Sequence, residues 1–526
     1  MFKLVETRVK QLIESECHSL LNQRLIGVEK ESLRVSAEGG ISQLPHPLAL
    51  GSALTNPYIT TDYSEALLEF ITPPSGHIES VLEFLRDSQA YVYQKLPSDE
   101  IIWATSMPCV VAGESSIPIA QYGSSNAGQM KSIYRVGLGN RYGRVMQVIA
   151  GVHFNYSLPD EFWPVYQSLL QDKQQSLLDF KSDQYFAMLR NLQRYGWLIP
   201  YLFGASPAVC KSFLGGADSS LQEFDKTTYY EPCATSLRMG DIGYQNNKEN
   251  ETGVKACYRN LDAYVNSLQC AIETPYEGYQ AIGVKVDGEY RQLNANLLQI
   301  ENEYYSTVRP KQILQGSEKP TIALRKRGVR YVELRSLDVN AFDPLGINET
   351  QLRFIEIFML FCLLSESEQI CFSEREEIDQ NELDVAHRGR DPKLKLKYNS
   401  SSITLKDWAL QALDGMASVA ELLDTNKQDQ PYRAALQQQI AKIKDPELTP
   451  SARMLNEMRE RKEGFYHFAK RMSEQHYRYF TQLELSAERK AFFDQAAADS
   501  IVQQQAIEAA DTLSLDEYLQ AYFSQK

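Results

Sequence analysis

The spacing of hydrophobic positions changes several times along this chain, and each change predicts an element. From Met1 to Glu16 the apolar residues recur at helical spacing, which predicts an amphipathic helix. "GVEKESLRV" (Gly27 to Val35) alternates as a strand does, and "ESLRVSAEGGISQ" carries it through a Gly-Gly turn into a second strand. "ALLEFITPP" is an apolar strand stopped by Pro73 and Pro74, "GVHFNYSL" and "VRYVELRSLDV" alternate strictly, and "IGVKVDGEYRQL" contains the Asp287-Gly288 hairpin signal. Between these, "GHIESVLEFLRDSQAYVYQKL" and "TQLRFIEIFMLFCLL" have the period of helices laid on a sheet. After about Arg388 a polar connector, "HRGRDPKLKLKYNSSSIT", leads into a region that reads as helix almost throughout. There Trp408, Ala412, Met416, Val419 and Leu423 follow Thr404 as an N-cap. The expected fold is α+β, with a mostly antiparallel sheet and flanking helices in residues 1–390. A helical C-terminal part, 391–526, packs on it as support.

Composition narrows the partners more than the fold. A formal charge of −14 and a hydrophobic content of 43% describe a globular chain and argue against nucleic acid or anionic membrane as the main partner, leaving room for a local basic pocket for a small anion. The start has no signal-peptide core, and "IFMLFCLL" is too short to span a bilayer. The eight cysteines show neither a C-x-x-C pair nor zinc spacing, so the expectation is a reduced, cytoplasmic protein. There is no P-loop, no G-x-S-x-G and no H-E-x-x-H, and "GLGNRYG" lacks the spacing and preceding strand of a dinucleotide fingerprint.

The strands themselves carry the candidate chemistry. Side chains two apart share a strand face, so Glu29 and Glu31 point the same way with Cα atoms roughly 6.5 Å apart. At an effective dielectric near 20, two such charges repel by about 2 to 3 kcal/mol. The other alternating strands repeat the feature: His153 with Asn155 and Ser157, Glu333 with Arg335 and Tyr331, Glu69 with Leu67 and Ile71, and Glu301 with Glu303 in "LLQIENEYY". Asp62 precedes the Glu69 strand. An oxygen-rich set with one imidazole suits Mg²⁺ or Mn²⁺ better than zinc, and a divalent cation would turn the repulsion into shared attraction. Taken singly, each feature has a plainer reading: a solvated glutamate pair, a hydrogen-bonded histidine, a surface ion pair between Glu333 and Arg335. Periodicity does not say whether these faces meet.

Eight stretches occur in an order that resembles one family. They are "GVEKESLRV", "LGSALTNPYITTDYSEALLEFITPP", "AQYGSSNAGQMKSIYRVGLGNRYG", "QVIAGVHFNYSLP", "YGWLIPYLFGASPAVC", "CATSLRMGDIGY", "LLQIENEYYSTVRPK" and "YVELRSLDVN". From about Gly27 to Asn340 they closely resemble the proteobacterial glutamate–cysteine ligases. The resemblance implies a glutamine synthetase-like funnel of antiparallel strands, and ATP-dependent ligation of the glutamate γ-carboxylate to the cysteine amine through a γ-glutamyl phosphate. It implies Glu29, Glu31, Glu69, His153 and Glu333 as magnesium (or manganese) ligands, and Arg335, Glu333 and Asp62 as the catalytic set. Arg309, Lys311 and Arg335 are expected on the nucleotide phosphates. Tyr134, Leu138, Gln147 and Ile149 are expected to form the cysteine pocket, with Tyr244 and Tyr305 above the cysteine carboxylate and Arg135 and Arg238 on substrate carboxylates. Without the resemblance, Tyr134 and Leu138 at i, i+4 read equally as a core stripe. Expected partners are small molecules only (glutamate, cysteine and ATP), bound by a cytoplasmic monomer. The rivals are another ATP-dependent glutamate–amine ligase, a metal-dependent phosphohydrolase, and a non-catalytic metal- or nucleotide-binding protein.

Overall fold

Seven strands make the main sheet: β1 (Leu25–Ser36), β2 (Ile59–Thr61), β3 (Leu67–Ile71), β4 (Glu100–Ile102), β5 (Gly151–Ser157), β6 (Val308–Lys311) and β7 (Tyr331–Asp338). The computed structural model describes residues 2–216, 219–243 and 255–525. The strand order is β6–β7–β5–β1–β3–β2, with β4 paired to the end of β1, and every pairing is antiparallel. Because β1 pairs β5 over its first half and β3 over its second, its register decides which residues meet. It sets Glu29 opposite His153 and Glu31 opposite Glu69. Glu333 of β7 lies opposite Asn155 on one side and Arg309 on the other.

The other face of the sheet is core. Val28, Phe70, Phe154, Tyr156, Val332 and Leu334 are fully buried there, as alternation requires. Helices α1 (Lys3–Glu14), α2 (Ile78–Tyr93), α3 (Asn126–Tyr142), α4 (Leu177–Arg194), α5 (Glu349–Leu364) and α6 (Phe372–Arg388) surround it. From Gln351 onward α5 is buried on every side, which is why "IFMLFCLL" is apolar without a polar stripe. Its one buried carboxylate, Glu356, is matched by Arg24 (3.0 Å) and the hydroxyl of Tyr432 (2.7 Å). Helices α7 (Leu405–Gly415), α8 (Phe465–Thr481), α9 (Ala487–Ala510) and α10 (Leu515–Ser524) follow. Thr404 does cap α7, accepting from the Asp407 amide. One apolar core runs from Val5 to Phe493, so the helical C-terminal residues share the interior of the sheet.

Four local expectations are corrected. The segment after Gly39 makes only an isolated bridge, Val35 to Ile41, because the chain turns away to pair β1 with β4 instead. The polar connector contains a hairpin, Lys395–Tyr398 with Ser401–Thr404. Glu301 and Glu303 lie in a 3₁₀ turn, not on a strand, and take separate partners: Glu301 meets Thr321, while Glu303 meets Arg141 and Tyr142. Cys109 and Cys210 form a disulfide across 101 residues of sequence. Local spacing cannot register such a pair; the other six cysteines are free. No described helix is long and apolar enough to cross a membrane.

Candidate active site

The register of β1, β5 and β7 gathers the acids around His153. Its Nδ1 lies 3.2 Å from Glu29 and 3.8 Å from Glu333, and its Nε2 lies 3.6 Å from Glu31. Glu29 also accepts from the Asn155 amide at 2.9 Å, and Glu31 from the backbone N–H of Gly151 at 2.6 Å. Cations close the β7 side: Arg335 is 3.0 Å and Lys311 3.2 Å from Glu333. Glu69 is brought opposite Glu31 by the β1–β3 register, and Asp62 stands near enough to act on both.

The face is electrostatically uneven. Burial works against ionisation of Glu333, but Arg335, Lys311 and His153 outweigh it and hold that carboxyl well below the usual range. Glu29 is also held down, its hydrogen bond to His153 overcoming burial and the charge of Glu333. Glu31 is pushed up, by burial first and then by Asp62, with His153 opposing. Glu69 is pushed up furthest, by burial and then by Glu29, Asp62 and Glu31. These carboxyls cannot all ionise together unless positive charge arrives. Ligand atoms of Glu29, His153 and Glu333 lie within 4.8 Å of one another, and the oxygen-rich donor set fits a hard divalent cation.

Beside this face is a cavity of about 60 Å³, lined by Tyr134, Leu138, Gln147, Tyr305, Arg309 and Arg335 among others. At roughly 30 Å³ per water it has room for one small side chain. Four of the six residues expected around cysteine therefore converge. Ile149 does not line the cavity; it is 1% exposed within the core. Tyr244 lies outside the described residues. Arg135 is turned elsewhere: it donates to the carbonyls of Asp62 and Lys131 and stacks on Tyr122. Arg309 lines the cavity and donates to the carbonyls of Asn302 and Tyr304. Arg238 is 2% exposed, donates to the carbonyl of Arg335 and lies 3.7 Å from Asp338. It passes so close to Gly151 that a Cβ there would come within 2.1 Å of the guanidinium, which explains a glycine at the head of β5.

Sequence reasoning missed Tyr142, Met146 and Asn302 on the cavity wall and assigned Glu303 to a strand face instead. Tyr142 continues the Tyr134–Leu138 stripe at i+8, a helical signal that was available. Glu303 had no such signal, because "LLQIENEYY" imitates a strand.

An antiparallel sheet bearing acids, an imidazole and cations beside a small cavity suits a hard divalent cation and a small substrate, as an ATP-dependent ligase requires. Residues 9–385 match the family model described as glutamate-cysteine ligase, and the chain belongs to that family, whose reaction forms γ-glutamylcysteine with ATP as the first step of glutathione synthesis. The chain is 47% identical over 526 residues to glutamate–cysteine ligase of Alcanivorax borkumensis, covering 99% of each. It is 46% identical over 525 residues to that of Pseudomonas paraeruginosa, covering 99% of this chain and 98% of the relative. Among solved structures, glutamate–cysteine ligase of Francisella tularensis in complex with AMP superposes with a TM-score of 0.89 at 38% identity, covering 95% of this chain and 97% of that one. A bifunctional glutathione synthetase from Pasteurella multocida superposes at 0.73 with 26% identity, over 93% of this chain and 58% of that one.

Proposed function

We propose that Glu29, Glu31, Glu69, His153 and Glu333 hold Mg²⁺ or Mn²⁺ in this ligase, and that the neighbouring cavity takes the side chain of cysteine. The reading is carried by the register that sets Glu29 against His153 and Glu31 against Glu69 on one sheet face. The protonation conflict on that face supports it, since four carboxyls and Asp62 crowd a single side of the sheet. When bound, a divalent cation neutralises the phosphate oxygens of ATP and the carboxylates that hold it.

A carboxylate has no usable leaving group, so a γ-carboxylate oxygen of glutamate first attacks the γ-phosphorus of ATP and ADP departs. Arg335, between the acidic face and the cavity, stabilises charge on the transferring phosphoryl group. Lys311 and Arg309 meet the nucleotide phosphates, and Asp62 adds negative charge beside the metal ligands. The neutral amine of cysteine then attacks the acyl phosphate; phosphate leaves and the amine loses a proton. Arg238 is the clamp for a substrate carboxylate, its guanidinium buried against Gly151 and the Arg335 carbonyl. Tyr134, Leu138 and Met146 offer the thiol mainly apolar contact. We read residues 1–390 as the catalytic part and the enzyme as a cytoplasmic one acting on small molecules, consistent with its acidity.

The test follows one oxygen. Glutamate labelled with ¹⁸O in its γ-carboxylate, incubated with ATP, Mg²⁺ and cysteine, is expected to deliver one label to the released phosphate for each amide formed. Unlabelled phosphate accompanying amide formation would rule out the acyl phosphate; full ATP cleavage without glutamate and without amide would replace the ligase with a phosphohydrolase.

A further inference from the structure

Helix α3 carries the Tyr134–Leu138–Tyr142 wall of the cavity, yet little in its own sequence holds it in place. Gly128, Gly137 and Gly139 lie within it, each costing a helix about 1 kcal/mol relative to alanine. Gly137 is required by contact, since a Cβ there would come within 2.0 Å of Gln299. On that side Gln299 donates to the carbonyl of Tyr134 at 3.3 Å, and Glu303 holds Arg141 at 2.8 Å.

The other side is covered by the chain's own C-terminal residues. Glu508 accepts from the Ser124 N–H at 2.8 Å, Asp511 from the Asn126 N–H at 2.5 Å, and the Asn126 amide donates to the Leu513 carbonyl at 2.9 Å. These bonds tie down the first turn of α3. Helix α10 then lays Leu515 and Leu519 on Met130 and Ile133, in an apolar cluster separate from the main core that also contains Tyr134. Leu519 is 5% exposed, and Leu515, Tyr518, Tyr522 and Phe523 of the same helix are partly buried beside it. At the end of α10, Lys319 donates to the carbonyls of Phe523 (2.9 Å) and Gln525 (3.1 Å), and Gln525 donates to that of Ser317 (3.0 Å). Asp516 pairs with Lys285 at 3.1 Å. The chain's end thus bridges α3 to the segment that carries the opposite wall of the cavity.

We propose that residues 508–525 are a clasp that positions the Tyr134–Leu138–Tyr142 wall, with Leu519 and Asp511 as positioning residues for the amine substrate. This rests on the reading that the cavity takes the cysteine side chain. Neither residue lines the cavity, so their effect passes through the placement of α3. Loosening the clasp weakens binding of cysteine while leaving glutamate and ATP, held on the sheet, unaffected.

The full-length variants Leu519→Ala, Asp511→Asn, Leu519→Met and Leu138→Ala are compared with the parent. KM and kcat are measured for cysteine, 2-aminobutyrate, glutamate and ATP, together with thermal unfolding. Leu519→Ala is expected to raise KM for both amine substrates about 5- to 10-fold, with glutamate and ATP within about 2-fold. Asp511→Asn, the milder change, should raise them about 2- to 3-fold, and Leu519→Met should restore near-parental values. Unchanged amine KM in Leu519→Ala and Asp511→Asn while Leu138→Ala raises it overturns the clasp and leaves the cavity reading standing. Unchanged amine KM in Leu138→Ala as well removes the cavity reading, and the clasp with it. An equal rise for all substrates, or lost activity with parental KM, shows a merely structural role and overturns the proposal.

Discussion

Glu69 concentrates the electrostatic problem of the sheet in one side chain. Its carboxyl is raised because it is buried and because Glu29, Asp62 and Glu31 face it. A carboxyl that is harder to ionise in the folded state than in the unfolded one favours folding fully below its unfolded pKa. That contribution is lost as pH rises through the higher folded value. Metal-free protein is therefore expected to lose melting temperature as pH climbs from about 4 through the raised Glu69 range. Glu69→Gln should flatten this loss, because the amide never ionises. The same variant should lose most of the stabilisation that Mg²⁺ confers at pH 8, and about 100-fold or more in turnover, at or above the upper end for residues that merely support a metal ligand. Thermal melts of both proteins across pH, with and without Mg²⁺, check the stability effects, and a turnover assay checks the rate; an unflattened slope would take Glu69 out of the cluster.

At the scale of elements, α6 is pinned to the segment that carries Arg238. His387, near the end of α6, lies 2.8 Å from Glu231 and 3.0 Å from Asp241, which flank Arg238 in sequence. Burial alone would lower the imidazole pKa, but the two carboxylates outweigh it and raise it to about 9. The ion pairs stabilise the fold fully below the unfolded histidine value near 6.5, and the contribution disappears as pH rises through about 9. His387→Gln is expected to cost about 1–2 kcal/mol at pH 6, allowing for solvent at the partly open edge, and almost nothing at pH 10. Denaturant unfolding of the two proteins at both pH values measures the difference, and a penalty independent of pH would assign His387 to packing alone.

For the whole molecule, a shared interior matters more than the change of composition after Arg388. The core continues from Val5 through the buried helix α5 into Trp408, Leu436, Phe468 and Phe493. Arg24 of the sheet side and Tyr432 of the helical side meet on the same buried Glu356. Cutting the chain at 390 would expose apolar surface of α5 and leave Glu356 without one of its partners, at a cost of several kcal/mol. A 1–390 fragment is therefore expected to be insoluble or unfolded, and the full chain to show a single calorimetric transition. Recovery of a soluble, cooperatively folding 1–390 fragment would show two separable units. The net charge of −14 is not spread evenly: Arg309, Lys311 and Arg335 stand beside the acidic face and offer anionic substrates local positive charge.

What could be read along the chain was whatever depends on neighbours a few residues away. Alternation at Glu29, Glu31, His153 and Glu333 put each acid or imidazole on the correct strand face, because a strand's side chains switch sides at every residue. Helical spacing did the same for α1, α2 and α5, and Thr404 and Asp287-Gly288 marked a cap and a hairpin through their own backbone preferences. Register is different in kind. Glu29 meets His153 across 124 residues and Cys109 meets Cys210 across 101, and no local period records which strand lies beside which. Glu303 looked like half of a strand pair, yet the fold turned it to a buried arginine and tyrosine. Leu519 looked like one more leucine of a supporting helix. Only the packing of α10 on α3 placed it behind the cavity wall, because a helix's apolar stripe says that it will be covered and not by what.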